Sequence, residues 1–181
     1  MADIGGATSA DTSNGTSNSG LVGSTPNPLR DQAATLLQDH RVQAFLGALR
    51  QGESGGQYNV VNGGQKFDSY SAHPNILVPQ PKGPPSSAAR AYQFTNPTWS
   101  SQAKSLGLQD FSPPSQDLAA VNKLRELRAI DDLIKNDDLD GAIFSAAKQW
   151  YSLPVDSSGK NHQGAMKSID SFKNEYYKRL Y

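Results

Sequence analysis

Eleven prolines divide this 181-residue chain more sharply than any other feature. Three of them follow a residue type that caps helices, in Asn27-Pro28, Asn96-Pro97 and Ser112-Pro113. Proline at the first helical position gives up no hydrogen bond, because that N–H has no partner inside the helix, and its fixed φ already suits the helix. Helices are therefore expected to open at all three places. Five more prolines, Pro74, Pro79, Pro81, Pro84 and Pro85, crowd into residues 74–85. Without their N–H groups neither a helix nor a central strand can form, so the segment reads as an extended loop. The chain is thus a helical protein interrupted by one extended stretch.

Apolar spacing fills in the helices. Leu29, Ala33, Leu36 and Leu37 follow Pro28. Asp39 can cap a second helix in which Val42, Phe45, Leu46 and Leu49 fall at i, i+3, i+4 and i+7, the stripe of a helix packed on a core. Residues 58–67 read as a β-hairpin with Asn62-Gly63 as a type I′ turn. Beyond the proline-rich loop, Trp99, Ala103 and Leu106 predict a helix stopping at Gly107, and Leu118, Val121 and Leu124 predict another after Pro113. A short helix is expected over 130–134. A longer one is expected over 141–153, with Ile143, Ala146, Ala147 and Trp150 on one stripe. An amphipathic terminal helix is expected over 165–181 through Met166, Ile169, Phe172 and Tyr176.

Residues 1–27 are of a different composition, dominated by Gly, Ser, Thr, Asn and Asp, and too polar to bury enough surface to order themselves. The expected organisation is a flexible polar arm over 1–27, a connecting helix over 28–38 and one domain over 39–181. Seventeen Lys and Arg balance seventeen Asp and Glu, which argues against nucleic-acid binding through a basic face. With no cysteine, disulfides and thiolate metal sites are excluded, and His40, His73 and His162 have no ligand spacing, so no metal or other cofactor is expected. No stretch approaches the roughly 20 apolar residues of a membrane span, so no membrane insertion is expected, and the N-terminus has no secretory signal.

One acidic residue is placed where a helix disfavours it. In Leu49-Arg50-Gln51-Gly52-Glu53-Ser54-Gly55-Gly56 the second helix runs out into glycines, and Glu53 follows Phe45 and Leu49 at four-residue steps. If the helix reaches that far, the stripe that meets the core delivers Glu53 to the core's edge. The negative end of the helix dipole and partial desolvation then both favour the protonated carboxyl, which is what a general acid requires. If the helix stops at Gly52, Glu53 is an ordinary surface residue. Asp68, at the end of the hairpin, is the candidate second carboxylate and equally a turn residue.

A set of blocks narrows the reading. Val61-Asn62-Gly63-Gly64 with Phe67, Tyr70-Ser71-Ala72-His73-Pro74, Tyr92-Gln93, Leu106 to Pro113, Ser115-Gln116-Asp117 and Trp150-Tyr151-Ser152-Leu153-Pro154 stand in an order and spacing that resemble the phage lambda type of endolysin. These are lytic transglycosylases of the lysozyme superfamily. The resemblance runs from about residue 39 to 175. It implies an α+β, mostly helical, lysozyme-like fold, with a small β-hairpin lobe and a helical lobe flanking a cleft. It further implies a metal-independent peptidoglycan-degrading enzyme with Glu53 as catalytic acid and Ser54, Tyr70, Ser71, Tyr92 and Gln93 binding substrate. The partners it implies are bacterial peptidoglycan strands, and the location it implies is the host cytoplasm before release to the periplasm. Residues 1–38, which the resemblance does not cover, are instead expected as an arm that docks on phage structural proteins, which would place the enzyme on the phage particle. A structural virion protein with a weakened site and a hydrolytic muramidase are the alternatives. Two departures stand out. The family's Gly-Arg before Tyr-Gln is Arg90-Ala91 here, and its second Arg-Gly pair is Leu127-Arg128.

Overall fold

The computed structural model describes residues 26–61, 64–80, 83–89, 91–162 and 169–181. Its helices in chain order are α1 (Pro28–Leu36), α2 (His40–Ser54), α3 (Asn96–Leu106), α4 (Pro113–Glu126), α5 (Ala129–Ile134), α6 (Leu139–Ala146) and α7 (Ile169–Leu180). The architecture is the mostly helical, lysozyme-like one, with little extended structure. The arm at 1–25 and Met166 lie outside the described residues.

α2 is the centre. Its stripe was expected to be one face, yet Val42, Ala44, Phe45, Leu46, Gly47, Ala48 and Leu49 are all buried. The reason is that α2 is covered from several sides, by α7 and by α4 and α5. A helix so surrounded is apolar all round rather than amphipathic. Phe45 meets Phe172 of α7 at 5.0 Å between ring centroids. α1 is laid against α3 and α4 with Ala33 fully buried, and the Asn27 side chain caps it by accepting from the Arg30 N–H at 3.0 Å.

Three boundaries differ from the sequence reading. α3 is capped by Thr95, so Asn96 is already helical. α6 ends at Ala146 instead of Leu153. Residues 147–153 turn out of the helix because their side chains have tertiary partners elsewhere: the Trp150 indole N–H donates to the Tyr92 carbonyl at 2.8 Å, and the Ser152 hydroxyl donates to Glu53. The hairpin is also one residue longer in its loop. Val61 N–H donates to the Gln65 carbonyl at 2.8 Å while its carbonyl accepts from Gly64 N–H at 3.0 Å, and Phe67 N–H donates to Asn59 at 3.1 Å; in a two-residue Asn62-Gly63 turn the Val61 N–H would donate to Gly64. Gly64, at φ 85°, supplies the left-handed residue that closes such a three-residue loop. Asn62 and Gly63 themselves lie outside the described residues.

The extended stretch is also tied down. Val78 and Ser86 exchange both backbone hydrogen bonds, at 2.8 and 2.9 Å, so the proline-rich segment contains one paired position where only loop was expected. Val61 bridges to Ala89, and Ala89 bridges onward to Phe94. The small β lobe is thereby anchored to the turn that carries Tyr92 and Gln93.

Candidate active site

α2 continues through Gly52 to Ser54, and only then does Gly55, at φ 62°, reverse the chain. The N–H groups of Gly55 and Gly56 close back onto the carbonyls of Gln51 and Arg50 at 3.2 and 3.1 Å. Glycine is needed here because an L side chain disfavours this left-handed backbone. Glu53 therefore stands in the last turn of α2, the geometry on which its reading as an acid depended. Its carboxylate is half-buried and accepts a hydrogen bond from the Ser152 hydroxyl.

Beside it opens a cleft of about 550 Å³, lined by Glu53 and Ser152 with Gln93, Thr95, Lys148 and Tyr151 among others. Among the described residues lining this cleft Glu53 is the one carboxylate. Tyr151 is 57% exposed and lies against the His162 ring at 4.7 Å, which presents an aromatic face at the cleft. Gln93 has φ 48°, a left-handed backbone on a residue that is not glycine. Such strain costs on the order of 1–3 kcal/mol and persists where surrounding structure enforces it, commonly at functional sites.

The other expected substrate contacts are placed differently. Tyr92 is 1% exposed, so it is a core residue: its hydroxyl donates to Asp117 at 2.6 Å and accepts from Arg50 at 3.0 Å. Its carbonyl, held by Trp150, still shapes the turn that presents Gln93. The Ser54 hydroxyl turns inward to the carbonyls of Arg50 and Ala91, at 3.1 and 3.3 Å. Tyr70 packs edge-on to Phe67 at 6.2 Å, and its carbonyl accepts from Phe111 N–H at 2.8 Å. Ser71 lines a separate depression of about 240 Å³ beside His73 and Trp99. Asp68 is exposed, just past the last hairpin hydrogen bond, and does not line the Glu53 cleft. His73 is a buried loop anchor, with its Nδ1 accepting from Asn75 N–H at 3.0 Å and its Nε2 at 2.9 Å from the Phe94 carbonyl. The structure thus brings Glu53 and Gln93 together, and leaves Ser54, Tyr70, Ser71 and Tyr92 in supporting or separate positions.

Ser152, Tyr151 and Lys148 were not singled out by the sequence. Tyr151 and Ser152 stand inside the Trp150–Pro154 block, but an expected helix there gave no reason to aim them at Glu53. Outside the cleft lining, Asp117 accepts from Tyr92, from Tyr58 at 2.9 Å and from Arg50 at 3.3 Å. Burial, then the Asp117 charge, pushes both phenols well above their ordinary pKa. Arg90 lies outside the described residues. Arg128 does occupy the left-handed region, at φ 69°, where the resembling family has glycine.

A helix-end glutamate in a cleft flanked by a helical body and a small β lobe defines a protein of the lysozyme superfamily. The comparisons carry this further. A family model described as Endolysin matches residues 43–179, and the chain belongs to that family. The endolysin of Escherichia phage lambda is 37% identical over 116 residues, 64% of this chain and 73% of the relative. The endolysin of Escherichia phage P2 is 34% identical over 108 residues, 57% of this chain and 65% of the relative. Among solved structures, bacteriophage lambda lysozyme complexed with a chitohexasaccharide superposes with a TM-score of 0.67 at 32% identity, covering 78% of this chain and 94% of that chain. A second structure of the lysozyme from bacteriophage lambda gives 0.61 at 30% identity, covering 78% and 90%. Family and fold together place the protein among the peptidoglycan-degrading enzymes of phage host lysis.

Proposed function

We propose that the protein is a lytic transglycosylase that cleaves the β-1,4 bond between N-acetylmuramic acid and N-acetylglucosamine, with Glu53 as its acid and then its base. The observation that carries this reading is that Glu53 is the one carboxylate among the described residues lining the cleft. A hydrolytic glycosidase ordinarily sets a second carboxylate about 5–9.5 Å across the scissile bond, as nucleophile or to activate water. Asp68, the residue that a hydrolytic muramidase would call on, is outside the cleft lining.

A transglycosylase manages with one group. Glu53 donates its proton to the glycosidic oxygen as the C1–O bond breaks, and the sugar's own acetamido oxygen stabilises the positive charge at C1. The carboxylate then takes the proton of the C6 hydroxyl as O6 bonds to C1, which closes a 1,6-anhydro ring and returns Glu53 to its acid form. No water enters and no proton is left over. Ser152, donating to one carboxylate oxygen, fixes the direction of the other. Gln93 and Thr95 offer hydrogen bonds to sugar hydroxyl and acetamido groups, and Tyr151 offers an apolar ring face. The oligosaccharide in the lambda lysozyme structure supports a glycan strand as the occupant of this cleft.

We propose the host cell wall as the site of action, reached either from the phage particle, docked through residues 1–38, or from the host cytoplasm by release to the periplasm. Digestion of purified peptidoglycan by wild type and Glu53→Gln, with sugar ends read by mass spectrometry, tests the chemistry. Anhydro ends that disappear in the variant are the expected result. New reducing ends would overturn it in favour of a hydrolase, and no cleavage by folded wild type would favour a structural role.

A further inference from the structure

Two glycines interrupt α2, and they differ in what surrounds them. At Gly47 an added Cβ would run into the Arg179 side chain of α7, so the space beside this glycine is occupied from within the chain. At Gly52, one residue before Glu53, an added Cβ would meet nothing within 4 Å. Glycine inside a helix is costly relative to alanine, and packing gives no return for that cost here. The open space beside Gly52 leaves the backbone accessible to something that is not part of this chain.

Gly52 opens onto a second groove, of about 410 Å³, between the last turns of α2 and α7. Phe172, Leu153 and Pro154 give it apolar surface, while Gln51, Ser152 and Glu175 give it hydrogen-bonding groups and a carboxylate. Arg179 pairs with Glu175 and holds its carboxyl below the usual range, so this carboxylate is already compensated by a guanidinium at the groove's edge. Ser152 lines both this groove and the Glu53 cleft, so the two adjoin across the Ser152–Glu53 hydrogen bond.

We propose that this groove binds the stem peptide of the muramyl sugar whose bond is cut. The inference rests on the transglycosylase reading. The peptide is attached through the C3 oxygen of that sugar, two ring atoms from the reacting C1, so it must leave the cleft close to Glu53. A short peptide offers amides for Gln51 and Ser152 and small apolar side chains for Phe172 and Pro154.

The test compares kcat/KM on peptide-bearing glycan strands with kcat/KM on the same strands stripped of peptide by an amidase. Wild type is expected to prefer the peptide-bearing strands. Gly52→Ala, which adds a methyl group to the groove, is expected to lower that preference about tenfold. No preference in wild type, or losses in Gly52→Ala that fall equally on both substrates, would overturn the proposal. Glu53→Gln separates the two readings: if it still cleaves, or if wild type cleaves neither strand, the catalytic assignment fails. The groove is then read without turnover, by titrating the free stem peptide into Glu53→Gln with and without Gly52→Ala. Weaker binding in the double variant supports the groove, and equal binding or none overturns it.

Discussion

The two sides of the last turns of α2 carry two carboxylates in opposite circumstances. On one side Asp117, reaching across from α4, is enclosed by Tyr58, Tyr92 and Arg50, and the Arg50 guanidinium also lies 5.1 Å from the Tyr58 ring centroid. On the other side Glu53 takes a serine hydroxyl and faces an open cleft. Arg50 and Glu53 are three residues apart on the same helix, so both belong to neighbouring turns of α2. A carboxylate surrounded by donors is fixed in charge and place and serves architecture. One that adjoins a cleft of substrate size can exchange a proton with what enters it.

The largest effect should separate the two sides by function. Glu53→Gln is expected to lower turnover by about 10³-fold while leaving the thermal midpoint within a degree or two of wild type, as read by product analysis and calorimetry. Asp117→Ala should do the reverse in emphasis. It strips one buried and one partly buried phenol and a guanidinium of their acceptor and is expected to cost about 2–3 kcal/mol of stability, measured by urea denaturation. A loss under about 0.5 kcal/mol would break the comparison.

The two strained residues sharpen it further. Gln93→Gly and Arg128→Gly each relieve a left-handed backbone, and each is expected to gain up to about 1 kcal/mol in stability. Arg128 is 81% exposed in its side chain and reaches Asp131 only at 4.0 Å, so little is lost with it and activity should hold. Gln93 lines the cleft, so its variant should become more stable and less active. Equal activities for the two would remove Gln93 from the site.

The smallest effect is in pH. The folded-state pKa values of Tyr58 and Tyr92 lie above the unfolded value near 10, so the folded protein holds these protons more tightly. Their contribution is complete below about pH 10 and is lost as the pH climbs toward the folded values. Tyr176, pushed up to about 12 mainly by burial, adds to the same fall. Urea midpoints above pH 10 should decline less steeply in Tyr58→Phe than in wild type.

The sequence alone determined the helices with strong punctuation, namely those after Asn27, Asp39 and Ser112, and the glycine end at Gly107, because caps and left-handed glycines act within a turn of the chain; between Gly52 and Gly55 as the end of α2 the structure chose. The sequence also marked Glu53, since four-residue steps carry a side chain along one helix face whatever the rest of the protein does. The tertiary structure decided the rest. It buried Tyr92 against Asp117, 25 residues away in the chain, and unwound residues 147–153 so that Ser152 meets Glu53, 99 residues away. It also showed that Gly47 and Gly52, alike in sequence, answer to different neighbours. Local signals report what a residue does to its own backbone, and contacts across the chain are fixed only when the packed core brings distant segments together.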